Sequence, residues 1–303
     1  MKIAVIGIGG IGGLVGAALA RRHKGIYLIA RGEGLKAICE NGITLDSEML
    51  GNFTAIPEKV TDDPNEIGIV DALIISTKSY ALDEACAMCR PIVGPDTVVL
   101  PLLNGINVGK DVRGYINNGD TAEGCIYAFS SKDGPGRTKH IGNMCRIDFG
   151  FEDKHENGKA EELARMLNES GITTTFNENI MESAWTKYIM MCGNSCVFTY
   201  FDCNAGEVRK DPVKYKFLKD VYTELYNIAG ASGVKLSGDV IEKHMRAFDG
   251  LPGEAVTSLY RDLKNGSGKT EFKAIIGKAA ELAESLGTEA TNVIKAYEKN
   301  KGR

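Results

Sequence analysis

Apolar positions along this chain follow two different spacings, and the change from one to the other divides it. Residues 2–6 (KIAVI) form a short β-branched run that stops at Gly7. Residues 10–22 then place apolar side chains at helical spacing, and residues 26–30 (IYLIA) form a second short run ahead of Arg31. Strand, glycine-rich turn, helix and strand in that order predict a βαβ unit with a right-handed crossover. Nearly continuous apolar runs at 71–77 (DALIIST) and 97–101 (TVVLP) predict parallel strands covered on both faces, with a helix at about 79–90 between them. From 121 to 150, short runs and turns such as KDGPG predict antiparallel strands at the far edge of the same sheet. A helix at 156–169 and a strand at 172–176 (ITTTF) close this half. After about residue 178 the strand pattern nearly vanishes. Residues 180–200, 212–231, 237–248, 254–264, 268–286 and 289–299 all predict helices, joined by loops rich in Gly or Asn-Gly.

The turn between the first strand and helix carries chemistry. Gly7-Ile8-Gly9-Gly10-Ile11-Gly12 fits G-x-G-x-x-G. The first glycine permits the tight turn, the second lets backbone approach a pyrophosphate, and the third lets helix pack close to sheet. The helix N-terminus adds free N–H groups and a positive dipole. The expected fold class is therefore α/β: an N-terminal Rossmann-type dinucleotide-binding domain over 1–178 and an all-helical C-terminal domain over 179–303. Sites for small molecules commonly lie in the crevice between two such halves. An NAD site usually places an acid at the end of the second strand to accept from the ribose 2′-OH. This chain has Arg31 there, and no acid until Glu33. A guanidinium suits a 2′-phosphate, so the expected cofactor is NADP(H), with Lys78 as a second cation near the same phosphates.

Composition narrows the alternatives. The chain has 303 residues, 43% of them hydrophobic and 25% charged, which excludes a disordered chain and a small disulfide scaffold. A net charge of -4 offers no basic excess for a phosphate backbone, so nucleic acid is not an expected partner. The opening MKIAVIGIGGIGGLVGAALARR superficially reads as a signal peptide or a short span, but six glycines interrupt it, and no other apolar run reaches the ~18 residues a span requires. Neither secretion nor a membrane partner is expected, and the eight cysteines read as reduced thiols of a cytoplasmic protein. Cys86 and Cys89 form one C-x-x-C on a predicted helix with no second pair, and the four histidines are scattered, so no metal site is expected.

A nicotinamide enzyme acting on a carbonyl needs a proton donor for the developing alkoxide and groups that orient the substrate. Lys187, in ESAWTKYIMM, sits among apolar neighbours just past the domain boundary, where a lysine tends toward a lowered pKa and could face the cleft. Glu271 opens a later helix behind a Gly-rich loop, Ser258 lies in EAVTSLYRDL, and Asn104-Gly105 follows TVVLP at the carboxyl end of a parallel strand. Taken singly, each has an ordinary structural explanation as a cap, a surface hydroxyl or a turn.

Together, KIAVIGIGGIGG, LIAR, ISTKSY, LLNG, WTK, CNAGEVRKDP and the S-x-x-x-D…TE pattern near 258–271 resemble the ketopantoate reductase family over residues 1 to about 290. The resemblance implies NADPH-dependent reduction of a 2-keto acid, in the best-known member ketopantoate, to the 2-hydroxy acid on the route to pantothenate and coenzyme A. It implies that Lys187 protonates the alkoxide. Glu271 would hold the nicotinamide ribose and orient Lys187, and Ser258 would contact the substrate carboxylate. Asn104 would lie near nicotinamide and substrate, and Arg31 and Lys78 near the adenosine phosphate. The family commonly reads K-x-x-x-N-x-x-x-N after the lysine. Here Met191 and Ser195 take the asparagine positions, with Asn194 beside the second, so Asn194 and Ser195 are the candidate substrate contacts and a more apolar 2-keto acid would suit Met191. The alternatives are a related two-domain dehydrogenase acting on another 2-keto or 3-hydroxy acid, and a non-catalytic NADPH-binding sensor. A monomer or homodimer is expected.

Overall fold

The computed structural model describes residues 1–266 and 268–302. By its contacts the chain forms two compact units, one of residues 1–103 with 107–180, the other of 104–106 with 181–303.

The first unit is α/β. Its elements are β1 (Ile3–Ile6), α1 (Gly10–Arg22), β2 (Ile26–Ile29), α2 (Gly32–Asn41), β3 (Ile43–Ser47), β4 (Phe53–Ala55), β5 (Lys59–Thr61) and β6 (Val70–Ile75). They continue through α3 (Leu82–Cys89), β7 (Val93–Pro101), α4 (Val108–Tyr115), β8 (Asp120–Thr121), β9 (Glu123–Lys132), β10 (Arg137–Gly150), α5 (Gly158–Glu169) and β11 (Thr173–Phe176). One sheet has the order β5-β2-β1-β6-β7-β8, and its pairings are parallel. Its central strands are buried end to end, Ile3, Ala4 and Val5 completely, as a strand covered on both faces must be. From β1 the chain goes first to β2 on one side and later to β6 on the other, so the topological switch point lies beside the end of β1.

The stretch from 121 to 150 departs from the sequence expectation. It does not edge the parallel sheet beyond the two residues of β8. Instead β9 and β10 form a long antiparallel hairpin in a second sheet of order β11-β10-β3-β4, and β3 and β11 run parallel to β10. The physical reason is α1. Its buried Leu14, Val15, Ala17 and Ala18 share one core with Leu45 of β3, Ile126 of β9 and Ile147 of β10, so the helix is sandwiched between the two sheets.

The second unit is helical among its described residues: α6 (Ile180–Phe201), α7 (Ala205–Lys210), α8 (Pro212–Ala231), α9 (Val240–Asp249), α10 (Ser258–Lys264), a π-helical turn (Lys273–Gly277), α11 (Lys278–Leu286) and α12 (Thr291–Asn300). Helix α6 is apolar nearly all round and is the buried centre of this unit, with Trp185, Tyr188, Ile189, Cys192 and Cys196 at most 1% exposed. Helix α8 starts where Asp211 accepts from Val213 N and Lys214 N and Pro212 fills the first turn. Short α7 is closed by a capping box between Asn204 and Glu207. Among the described residues no helix is long and apolar enough to cross a membrane. All eight cysteines are free thiols, and burial pushes the Cys86 and Cys89 thiols up to about 11 and about 12.

Candidate active site

The glycine turn behaves as its motif requires, with one informative difference between positions. Gly7 has φ +90°, and a Cβ there would lie 2.6 Å from Thr77 N. A Cβ on Gly12 would lie 2.4 Å from both Gly7 O and Ser76 Oγ. The protein's own packing forbids a side chain at both. At Gly9 the nearest atom to a Cβ would be Gly7 O at 3.9 Å, so nothing in the protein needs that space. Bare backbone facing open space is what a pyrophosphate would use. Helix α1 agrees: it has no side-chain cap and no acid in its first turn, and it carries Arg21 and Arg22 in its last.

A groove runs from this turn across the end of β2. Gly7, Ile8, Ala30, Arg31, Thr77, Ala81, Glu84, Ala85 and Met88 line it. The Thr77 hydroxyl, buried beside the turn, has no hydrogen-bond partner among the described residues. An orphaned hydroxyl in a groove is what a bound polar ligand would relieve. Arg31 is at the expected strand end, and its guanidinium donates to Glu84 Oε1 at 2.5 Å and to Met88 Sδ at 2.9 Å. Lys78 is exposed, three residues past β6, and does not line the groove. The groove also contains residues that the sequence reading did not select: Thr77, and Lys132, Gly136, Arg137 and Thr138 of the β9–β10 hairpin. The hairpin is fastened to the glycine turn, since Ser130 Oγ donates to Gly10 O at 2.8 Å and Thr138 Oγ1 to Gly9 O at 3.4 Å. A Cβ on Gly10 would lie 2.3 Å from Ser130 O, so this extra glycine serves the hairpin.

In the helical unit, α6 sets Lys187, Met191 and Asn194 at intervals of four and three, close to one helix face, with Ser195 about 100° round from Asn194. Lys187 is half-buried, and its Nζ donates to Asn104 Oδ1 at 3.4 Å. Asn104 belongs to this unit, and Ile106 anchors the segment in the helical core. Gly105 between them has φ +140°, a backbone only glycine adopts readily. Ser195 is fully buried; its Oγ donates to Met191 O at 2.8 Å and lies 3.2 Å from Thr257 Oγ1. Thr257 caps α10, whose first residue is the half-buried Ser258. Asn194 has a different neighbour: its Oδ1 accepts from Tyr222 OH on α8 at 2.6 Å, and only 9% of the residue is exposed. Its carbonyl ties two helices together, which leaves the half-buried Met191 as the accessible side chain of that turn.

Glu271 is 3% exposed and precedes the π-helical turn, where Ile275 N donates to Glu271 O at 3.0 Å. The widened turn releases the Ile275 carbonyl, which accepts from Tyr188 OH at 2.5 Å and Cys192 Sγ at 3.4 Å of α6. Thus the segment after Glu271 is pinned to the helix that carries Lys187. Ser267, in the Gly-rich loop before Glu271, lies outside the described residues.

Known proteins match both halves of the chain. The family described as "Ketopantoate reductase PanE/ApbA" matches residues 3–153, and its C-terminal counterpart matches 179–299. The 2-dehydropantoate 2-reductase of Pyrococcus horikoshii is 29% identical over 293 residues, covering 96% of this chain and 93% of that protein. The crystal structure of 2-dehydropantoate 2-reductase from Porphyromonas gingivalis W83 superposes with a TM-score of 0.85 at 26% identity, over 99% of this chain and 98% of that one. The ternary structure of D-mandelate dehydrogenase with NADH and anilino(oxo)acetate has the same fold, with a TM-score of 0.85 at 24% identity over 100% and 99% of the chains. With a glycine turn built for a dinucleotide in one unit, a lysine held by an asparagine in the other, and both halves matched along almost the whole chain, this protein belongs to the ketopantoate reductase family of oxidoreductases.

Proposed function

We propose that this chain is an NADPH-dependent reductase that converts a 2-keto acid, ketopantoate first among them, to its 2-hydroxy acid. The observation that carries the reading is the half-buried Lys187 ammonium, oriented by the Asn104 amide. In this reading the first unit is the dinucleotide domain, and the second, Asn104 included, supplies the catalytic and substrate groups. Bare Gly9, the uncapped start of α1 and the partnerless Thr77 hydroxyl fit a pyrophosphate and its ribose. Gly7 to Gly12 hold the pyrophosphate and Arg31 serves the adenosine phosphate end, while Lys78, outside the groove, is assigned no role there.

A reduced nicotinamide held there would supply the hydride for the keto carbon, leaving negative charge on the carbonyl oxygen. Lys187 donates a proton to that oxygen. Asn104 fixes the ammonium's direction before reaction, so no reorganisation is needed as charge develops. Glu271, buried behind the pinned turn, holds Lys187 and the nicotinamide ribose in register. Ser258 forms the polar rim that meets the substrate carboxylate, and the buried Ser195 steadies it through Thr257, the cap of the helix that Ser258 begins. Asn194 supports this rim through Tyr222.

A second reading, reduction of a 2-keto acid with a larger apolar or aromatic side chain, is favoured by Met191, which replaces an amide by an adaptable thioether. The D-mandelate dehydrogenase neighbour, crystallised with anilino(oxo)acetate, points the same way. Eight free thiols suit a reducing compartment such as the cytoplasm.

Lys187→Ala tests the mechanism. The expected result is a loss of kcat of about 10²-fold or more, with the NADPH dissociation constant unchanged. A variant that keeps its turnover would remove Lys187 from the chemistry, and the sensor reading would gain from a wild type that binds NADPH and reduces nothing.

A further inference from the structure

The groove beside the glycine turn carries four charged side chains: Arg31, Lys132 and Arg137 against Glu84. Two of the cations come from the second sheet, at either end of the turn that joins β9 to β10. This turn is held in place from three sides. Within it, Asp133 N donates to Arg137 O at 2.9 Å and Arg137 N to Gly134 O at 3.3 Å. Thr44 N of β3 donates to Gly136 O at 2.9 Å. A Cβ on Gly136 would come within 3.2 Å of Ile38 and 3.3 Å of Ala37, so the turn lies directly against α2. Thr138, paired across the hairpin with Lys132, reaches the Gly9 carbonyl. The two cations are thus fixed to the rim of the dinucleotide groove, although their own side chains are exposed.

Arg31 is the cation a sequence reading finds, but it is already engaged by Glu84 and Met88. No ion pair is formed by Lys132 or Arg137 among the described residues. A 2′-phosphomonoester carries a charge near -2 and three acceptor oxygens, whereas a 2′-hydroxyl carries none and donates to an acid. Three cations answer the first; Glu84 answers the second. We propose that Arg137 and Lys132 are coenzyme-specificity residues that recognise the 2′-phosphate of NADPH, and that Glu84 opposes them by holding Arg31 and offering an acceptor to the 2′-hydroxyl of NADH. The proposal rests on the dinucleotide reading above and adds to it which residues choose between the two coenzymes.

The test is direct titration of the full-length protein with NADPH and, separately, NADH, read by the fluorescence of the reduced coenzyme. Lys132→Ala and Arg137→Ala should each raise the NADPH dissociation constant by about three- to tenfold and leave that for NADH unchanged. Glu84→Gln should move the ratio the other way, tightening NADPH and weakening NADH. Raising the salt concentration should weaken NADPH binding to the wild type more than to the Lys132→Ala/Arg137→Ala double variant. Equal urea midpoints for all variants keep the comparison free of folding defects. If the double variant keeps the wild-type NADPH to NADH ratio, the proposal is overturned while the dinucleotide reading stands. If the wild type binds neither coenzyme, both fall together.

Discussion

Gly193 lies where α6 packs tightly against Tyr222 of α8. A Cβ there would lie 2.4 Å from both Tyr222 Cδ1 and Cε1, and the displaced ring would pull its hydroxyl from Asn194 Oδ1. Gly193→Ala is therefore expected to cost about 1–3 kcal/mol, although alanine is the better helix former. A urea midpoint equal to wild type would show that the ring yields freely. The same neighbourhood explains which single residues a sequence discloses. Gly7 and Gly12 are legible because their constraint is local to the turn, and Lys187 because a cation in ESAWTKYIMM contradicts its surroundings. The partner of Asn194 is not legible, since Tyr222 is 28 residues away and only the packing of two helices brings it there. Thr77 stands in the ISTKSY stretch beside Lys78, yet nothing but its orphaned hydroxyl singles it out.

Helix α4 shows an element completed by a distant side chain. Its N-cap, Asn107, is left-handed at φ 59° and makes no side-chain cap. Glu123, at the start of β9 and 3% exposed, does that work, accepting from Lys110 N at 3.2 Å. Burial pushes its carboxyl up to about 7, against the pull of the Gly109 and Lys110 amides and of Arg113, with Glu152 adding to the rise. A carboxyl raised in the fold binds its proton more tightly there than in the unfolded chain. The stability it contributes is complete below about 4.5 and is lost as pH rises through about 7. Wild-type protein should therefore lose more stability between about pH 5 and pH 8 than Glu123→Gln, measured as the urea midpoint. Parallel pH profiles would contradict this. The elements that the sequence discloses are those whose periodicity is self-sufficient: β1, α1, β2, β6, β7, and the long α6 and α8. Strands β3, β4 and β5 pass unnoticed: β4 and β5 are three residues each, and β3 is held by its partners β4 and β10, outside the pattern of the parallel sheet. The same omission sends the 121–150 hairpin to the wrong sheet, and with it Lys132 and Arg137.

For the whole chain, one fold class and two halves follow from the change in period near residue 178. What the pattern does not contain is the excursion of residues 104–106, three residues that leave the α/β unit and belong by contact to the helical one. No periodicity marks so short a segment, yet it delivers Asn104 to Lys187. The net charge of -4 is likewise silent about the cationic rim, because a sum over 303 residues averages out four side chains around one groove. The proposed activity, reduction of a 2-keto acid with NADPH, draws on both units of the molecule. The measurement that bears on it most directly is coenzyme oxidation by the purified chain, with NADPH or NADH and with ketopantoate or branched and aromatic 2-keto acids offered in parallel. Turnover is expected with NADPH in preference to NADH, on ketopantoate or on a more apolar 2-keto acid where Met191 sets the choice. Tight binding of NADPH with no turnover of any 2-keto acid would contradict it.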